Sequence, residues 1–291
     1  MALEHFLFVS KQYMAISDLD KNQKLAVSIP ILYEDEQLLV INKPAGITVN
    51  ISDTTQHQTT VQDWVQAYLN IEVPKVSGVP KVPNENRKSD PSDTFDTSDT
   101  FYSRGGIVHR LDKETSGVML IAKTAESFQA LQKQFKDRVV EKTYLALAHG
   151  FFPETTGEIT VPVGRLPWNR KRFGVIPGGR ESVTYYTVLD KYVISLQKKE
   201  APVSLLRLFP KTGRTHQIRV HLKHVGHPIF SDFLYAGRKT ARDDRKLLDR
   251  VFLHAASITF SHPTLHKKVT INSKLPDDLA KILSVHAKER L

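Results

Sequence analysis

The stretch from His109 to Gly117, His-Arg-Leu-Asp-Lys-Glu-Thr-Ser-Gly, does most to limit what this chain can fold into. It places a carboxylate among cations, ends in a Thr-Ser-Gly turn, and runs directly into Val118-Met-Leu-Ile-Ala122, which has the length of a buried strand. Asp112 therefore lies on a loop held in place by a sheet, where reactive groups are over-represented. The same residues would also make a good turn, with Asp112 and Thr115 hydrogen-bonding the backbone. The stretch alone supports both readings.

The rest of the chain alternates short strands with a few helices. Ile31–Tyr33 and Leu38–Ile41 bracket a polar turn and read as a hairpin, broken by Lys43-Pro44-Ala45-Gly46. Val61, Trp64, Val65, Tyr68 and Leu69 follow helical spacing, with Thr60 as N-cap and Asp63 at the third helical position. Thr124 caps a second helix whose Phe128, Leu131 and Phe135 share a face. Tyr144–Ala148, Glu158–Val163, Val183–Leu189, Val203–Phe209, Val251–Phe260 and Lys268–Asn272 read as strands. Arg214–Val225 returns to helical spacing, and Pro276 opens a final short helix. Many strands with few helices between them argue for an α+β fold with a mixed, mainly antiparallel sheet.

Residues 74–103 change character. Val-Pro-Lys-Val occurs twice (73–76 and 79–82), as does Asp-Thr-Phe (93–95 and 99–101). A segment this repetitive buries too little apolar area to offset its ordering entropy, so it reads as a mobile insertion. The expected organisation is an extension over 1–29 with no strong pattern, then one domain over 30–291 that carries this insertion.

Charge narrows the partner. The 291 residues carry a formal net charge of +10, with a pI near 9.6, and a basic surface of this kind calls for a polyanion, usually nucleic acid. No stretch has the apolar length of a membrane-spanning helix. The chain has no cysteine, which excludes thiolate catalysis, disulfides and cysteine-based zinc or iron–sulfur sites. The amino terminus lacks the pattern of a secretory signal, so a cytoplasmic location is expected.

Four segments in order then carry a resemblance. Gly105–Gly117 resembles the active-site motif of RluA-type pseudouridine synthases, and Tyr33–Asp35 with Asn42–Gly46 is similar to that family's first motif. Glu141–Gly150 (Glu-Lys-Thr-Tyr-Leu-Ala-Leu-Ala-His-Gly) and Lys211–His221 (Lys-Thr-Gly-Arg-Thr-His-Gln-Ile-Arg-Val-His) continue the series. The resemblance spans about residues 31–285, with a gap at 74–103. It implies a mixed sheet cut by a central active-site cleft, with helices on the outer faces. It also implies isomerisation of uridine to pseudouridine in structured ribosomal or transfer RNA, without cofactor or metal, since the reaction exchanges no electrons.

By the same resemblance Asp112 is the covalent nucleophile, attacking at the sugar C1′ or the base C6. A carboxylate set among apolar strands needs a nearby cation to keep its charge. The family match assigns this to Arg214, whose rival role is a phosphate contact. Tyr144 would lie beneath the target base, and Arg110 would help hold the nucleotide out of its stack. His109, Lys43, Lys142 and Arg219 complete the candidate RNA-binding set, with Lys43 and Pro44 shaping the cleft. Rival readings are an RNA N-glycosylase using the same Asp112, and an RNA-binding protein without catalysis.

Two other constellations are weaker. His216, His221, His224 and His227 suggest zinc, but Arg214, Arg219 and Lys223 among them disfavour a divalent cation. Asp112 and Glu114 suggest paired-carboxylate hydrolysis, but residues two apart on an extended chain point to opposite sides, leaving Glu114 facing solvent. A monomer is expected.

Overall fold

The computed structural model describes residues 27–51, 58–71, 97–196, 199–285 and 287–290. Most of the expected insertion and of the expected amino-terminal extension lies outside the described residues. Strands β1 (Ile31–Glu34) and β2 (Leu38–Lys43) form the expected hairpin. Asp35 closes it, its Oδ1 accepting the backbone N–H groups of Gln37 and Leu38 at 2.8 and 2.7 Å. Helix α1 (Val61–Tyr68) starts at Thr60 as the sequence predicts. Thr60 Oγ1 accepts the Asp63 N–H at 3.1 Å and Asp63 Oδ2 accepts the Thr60 N–H at 2.8 Å, a reciprocal cap.

Helix α2 (Thr97–Arg104), strand β3 (Ser116–Ala122) and helix α3 (Ala125–Lys136, capped by Thr124) lead to strand β4 (Glu141–His149). Five strands come next: β5 (Thr156–Thr160), β6 (Val163–Leu166), β7 (Asn169–Val175), β8 (Val183–Leu196) and β9 (Lys199–Pro210). Helices α4 (Gln217–His224) and α5 (Arg238–Asp244) precede β10 (Leu253–Ser261), β11 (Lys268–Asn272), α6 (Asp277–Val285) and β12 (Ala287–Arg290).

One large sheet runs β1-β2-β3-β10-β4-β9-β8-β12, with β11 beside β10 and β5 beside β8, while β6 and β7 pair separately. Among the described residues only β3 and β10 run parallel; the other pairs are antiparallel. The fold is α+β with a mainly antiparallel sheet, as expected.

Strand period explains how the first half is covered. Leu38, Val40, Val118 and Leu120 point to one face and pack with Phe101 of α2 and Phe128 and Leu131 of α3. Leu39, Ile41, Met119 and Ile121 point to the other and meet Val61, Trp64 and Val65 of α1. With both faces covered, β3 is buried along its whole length, and each large side chain so buried contributes roughly 1.5–3 kcal/mol. A second core joins β4, β8 and β9 to α4 and α6.

The two halves meet where β3 lies beside β10, over the pairs Ser116–His254 and Ala255–Gly117. Gly117 has φ +119, and a Cβ there would lie 2.2 Å from the Ala255 carbonyl oxygen. Only glycine permits this approach. Arg250 ties the seam, donating from Nη1 to Ser116 Oγ (3.2 Å) and the Glu114 carbonyl (3.3 Å) while Nε and Nη2 grip Asp278.

Parts of the fold differ from the sequence expectation. The end of the expected insertion is helix α2, whose Phe101 is 4% exposed and packs edge-on against Phe128 at 5.9 Å. The β6–β7 hairpin, α5 and β12 have no counterpart in the predicted elements.

Candidate active site

Asp112 precedes the seam strand β3, on a loop that the first motif clasps from below. Lys43 is fully buried, and its Nζ donates to the carbonyls of Pro44 (2.9 Å), Lys113 (3.2 Å) and Thr115 (2.9 Å). Gly46 N–H donates to the Lys113 carbonyl at 2.8 Å, and Thr115 N–H to the Asp112 carbonyl at 3.1 Å. Burial pushes the Lys43 ammonium down to about 7; Asp112 opposes that shift and Arg250 adds to it. Lys43 is a buried loop anchor and not a surface cation.

The ion pair of Asp112 is made by Arg219, which corrects the expectation for Arg214. Arg219 Nη1 donates to Asp112 Oδ2 at 3.1 Å. Its Nε and Nη2 make a two-pronged pair with Asp232 at 2.7 and 2.9 Å. Burial works against the Arg219 charge, but hydrogen bonds to Asp232 and the charges of Asp232 and Asp112 more than compensate, so its pKa is raised. Arg219 was expected to bind RNA; buried between two carboxylates, it serves Asp112 instead. Arg214 lies half-buried on the loop before α4, its Nε donating to the Glu181 carbonyl at 3.4 Å. Helix α4 begins only at Gln217, so the turn at His216 separates the two arginines.

Around Asp112 the cleft is lined by Arg110, Lys142, Tyr144, Arg214 and Leu253. Arg110 is exposed at the rim. Burial pushes the Lys142 ammonium down to about 8. Tyr144 stands on β4, opposite Ala255 on β10. Burial, then the charge of Asp112, pushes the Tyr144 phenol upward, so at neutral pH it is a neutral flat surface and hydrogen-bond donor. Asp112 Oδ2 faces Arg219, and Oδ1 has no hydrogen-bond partner among the described residues. The arrangement offers one free carboxylate oxygen, a π-face and a cationic rim, which together suit covalent attack on a base or sugar held in a polyanion.

Other expected residues go elsewhere. His109 Nε2 accepts the Leu120 N–H at 2.9 Å and its ring stacks on Phe135 at 4.9 Å. Burial, then Lys142, pushes its pKa down to about 3, so it is a neutral brace for β3 and supplies no charge to RNA. Glu114, expected to face solvent, accepts from Arg245 Nη2 at 2.6 Å and from the Val251 N–H at 3.0 Å. The histidine cluster disperses. His227 Nδ1 lies 2.8 Å from the His149 carbonyl, His221 is buried, His224 is exposed, and His216 faces Asp112.

Three residues of the site escaped sequence reasoning. Asp232 anchors Arg219 and also accepts the N–H groups of Leu234 and Tyr235. Tyr235 lays its ring 5.0 Å from the Arg219 guanidinium. Gln217 accepts from Thr212 Oγ1 (2.6 Å) and Arg214 N–H (3.0 Å) and donates to Val183 and Thr184, fixing the loop that carries Arg214. The signal for Arg219 was its place on a helix between buried Ile218 and Leu222. Asp232 lies in no motif.

Known proteins are similar to this chain in sequence and in fold. The sequence profile of the family described as RNA pseudouridylate synthase matches residues 37–224. The ribosomal large subunit pseudouridine synthase D of Nitrosomonas europaea is 36% identical over 266 residues, covering 90% of this chain and 66% of the relative. An uncharacterized RNA pseudouridine synthase of Synechocystis sp. is 34% identical, covering 91% and 71%. A solved structure titled human RNA Pseudouridylate Synthase Domain Containing 1 superposes with a TM-score of 0.64 at 25% identity, covering 90% of each chain. The chain thus spans roughly two-thirds of the length of the curated relatives. By its profile match and its relatives, the chain belongs to the RNA pseudouridylate synthase family of RNA isomerases.

Proposed function

We propose that this protein is an RNA pseudouridine synthase that acts on uridine in structured RNA, with ribosomal RNA as the favoured substrate. The observation that carries the reading is Asp112 at the base of a cationic cleft, one oxygen engaged by Arg219 and the other free. The names of the bacterial relatives support ribosomal RNA over transfer RNA. An RNA substrate of that kind goes with action in the cytoplasm. Among the described residues no helix is long and apolar enough to cross a membrane.

Asp112 supplies the carboxylate that bonds covalently to the target nucleotide, at C1′ or C6. The N1–C1′ bond breaks, the base turns, and C5 bonds to C1′. The C5 hydrogen leaves as a proton and N1 takes one up, so atoms balance without oxidant or donor. Tyr144 supports the base through stacking worth ~1–3 kcal/mol. Arg110, Lys142 and Arg214 offer charge to the backbone on either side. A target uridine must leave its stack for C1′ and C5 to be reached.

RNA carrying tritium at uridine C5 tests the reaction. The expected result is release of label to water by the wild type and none by Asp112→Asn. A glycosylase would yield free labelled uracil and an abasic site that breaks in alkali. A binding protein would release nothing.

A further inference from the structure

His216 is held in an unusual way for a residue with no assigned role. Its φ is +55, the left-handed region that a side chain other than glycine enters at a cost. The ring is boxed edge-on between Phe173 of β7 at 5.5 Å and Tyr235 at 5.7 Å. Nε2 lies 3.8 Å from Asp112 Oδ2, the oxygen that Arg219 also engages. Nδ1 lies 2.8 Å from the Tyr235 hydroxyl, and that hydroxyl accepts the Phe173 N–H at 3.1 Å. Asp232 fixes the backbone of Tyr235.

We infer that His216 is a positioning residue for Asp112: a neutral imidazole whose Nδ1 accepts the Tyr235 hydroxyl proton and whose Nε2–H is aimed at Asp112 Oδ2. This rests on the reading of Asp112 as nucleophile. The phenol has one proton, and the histidine ring is the partner the structure gives it. With that proton on the Nδ1 side, the ring's own proton is on Nε2. The charged and titratable groups facing the ring are Asp112, Arg219, Asp232, Arg110 and Tyr235. Burial leads among their effects and lowers the His216 pKa, in keeping with a neutral ring.

The consequence is a division of labour between the two carboxylate oxygens. Arg219 and His216 address Oδ2, leaving Oδ1 to form the bond to carbon. Oδ2 then becomes the ester carbonyl, and His216 neither gains nor loses a proton. When the bond to Oδ1 breaks again, its electron pair returns to the carboxylate. A separation of 3.8 Å is long for a hydrogen bond. Catalytic contacts often tighten only when substrate is bound.

Nitrogen-15 spectra of the histidines in the full chain at neutral pH test the protonation state, with His216→Gln identifying the signal. The expected pattern is protonated Nε2 with bare Nδ1, shifting toward a tautomer mixture in Tyr235→Phe. Tritium release tests the role. His216→Ala should lower kcat about tenfold, equivalent to about 1.4 kcal/mol, with KM for RNA little changed. His216→Gln, whose amide N–H can stand near the Nε2 position, should recover most of the loss. A proton on Nδ1, an imidazolium, or an unchanged kcat in His216→Ala would overturn the inference. If the alanine variant does not fold, the wild-type spectrum and His216→Gln decide. Failure of the wild type to release tritium, with the expected tautomer present, would instead remove the isomerase reading and with it the role, but not the tautomer.

Discussion

Asp232 holds Arg219 by two parallel hydrogen bonds, and this fixes the third edge of the guanidinium against Asp112. The orientation of the candidate nucleophile thus depends on a carboxylate that never meets the cleft, since Asp232 is fully buried. A guanidinium suits this position because its planar fork pairs two nitrogens with Asp232 and leaves Nη1 for Asp112, a fixed geometry that the single nitrogen of a lysine does not offer.

Arg219→Ala should therefore cost both stability and turnover. It strands the buried Asp232 charge, a loss of about 3–5 kcal/mol, visible in urea unfolding. Arg219→Lys should fold better but release tritium slowly. Arg214→Ala should behave differently: Arg214 donates only weakly to a backbone carbonyl and lies at the cleft. Its expected effect is weaker RNA binding, with the slope of log K against log salt reduced by about one. A pure kcat loss in Arg214→Ala would contradict this division.

Gly117→Ala should break the seam. The added Cβ would meet the Ala255 carbonyl oxygen, carbon and nitrogen at 2.2–2.7 Å, all backbone atoms, and β3 and β10 share only two residue pairs. The cost should be at least about 2 kcal/mol, seen as a lower unfolding midpoint or loss of soluble protein. A Gly117→Ala protein as stable as the wild type would mean that the strands can part there cheaply.

Phe101→Ala should cost about 3–5 kcal/mol, because the ring fills a buried position against Phe128. Urea unfolding of the purified variant measures it. A residue in a mobile insertion would show almost no change.

That last contrast shows how the sequence misled. Asp-Thr-Phe occurs twice, and the repeat made the second copy look like the first; burial of Phe101 depends on α3, reached only through tertiary packing. Local signals did better. Thr60 and Asp63 cap α1 as their spacing indicates, because a capping box is complete within four residues. Strand positions followed from period two wherever one set of side chains had a helix to meet. The arginines were harder. Arg214 and Arg219 lie in one motif, and only the left-handed turn at His216 decides which of them enters the core. The β6–β7 hairpin, with exposed Trp168 and little apolar alternation, gave no strand signal at all.

Lys43 gives a prediction in which pH is the variable. In the folded protein burial disfavours its charge, and its pKa falls to about 7 from an ordinary 10.5. Below the lower value both states hold the proton and the folded state bears the full penalty. Between about 7 and 10.5 the unfolded chain binds more protons than the folded one, so the Lys43 contribution to stability improves as pH rises. Lys142, pushed down in the same direction, is common to wild type and variant and cancels in their difference. Lys43→Met removes the titration and leaves the carbonyls of Pro44, Lys113 and Thr115 without their shared donor. Urea midpoints at pH 6 and pH 9 should show the wild type gaining on Lys43→Met at the higher pH. Tritium release by the variant should be slowed at both, because the loop that carries Asp112 has lost its anchor. A stability difference that is flat with pH, or that moves the other way, would mean that Lys43 keeps an ordinary pKa in the folded chain.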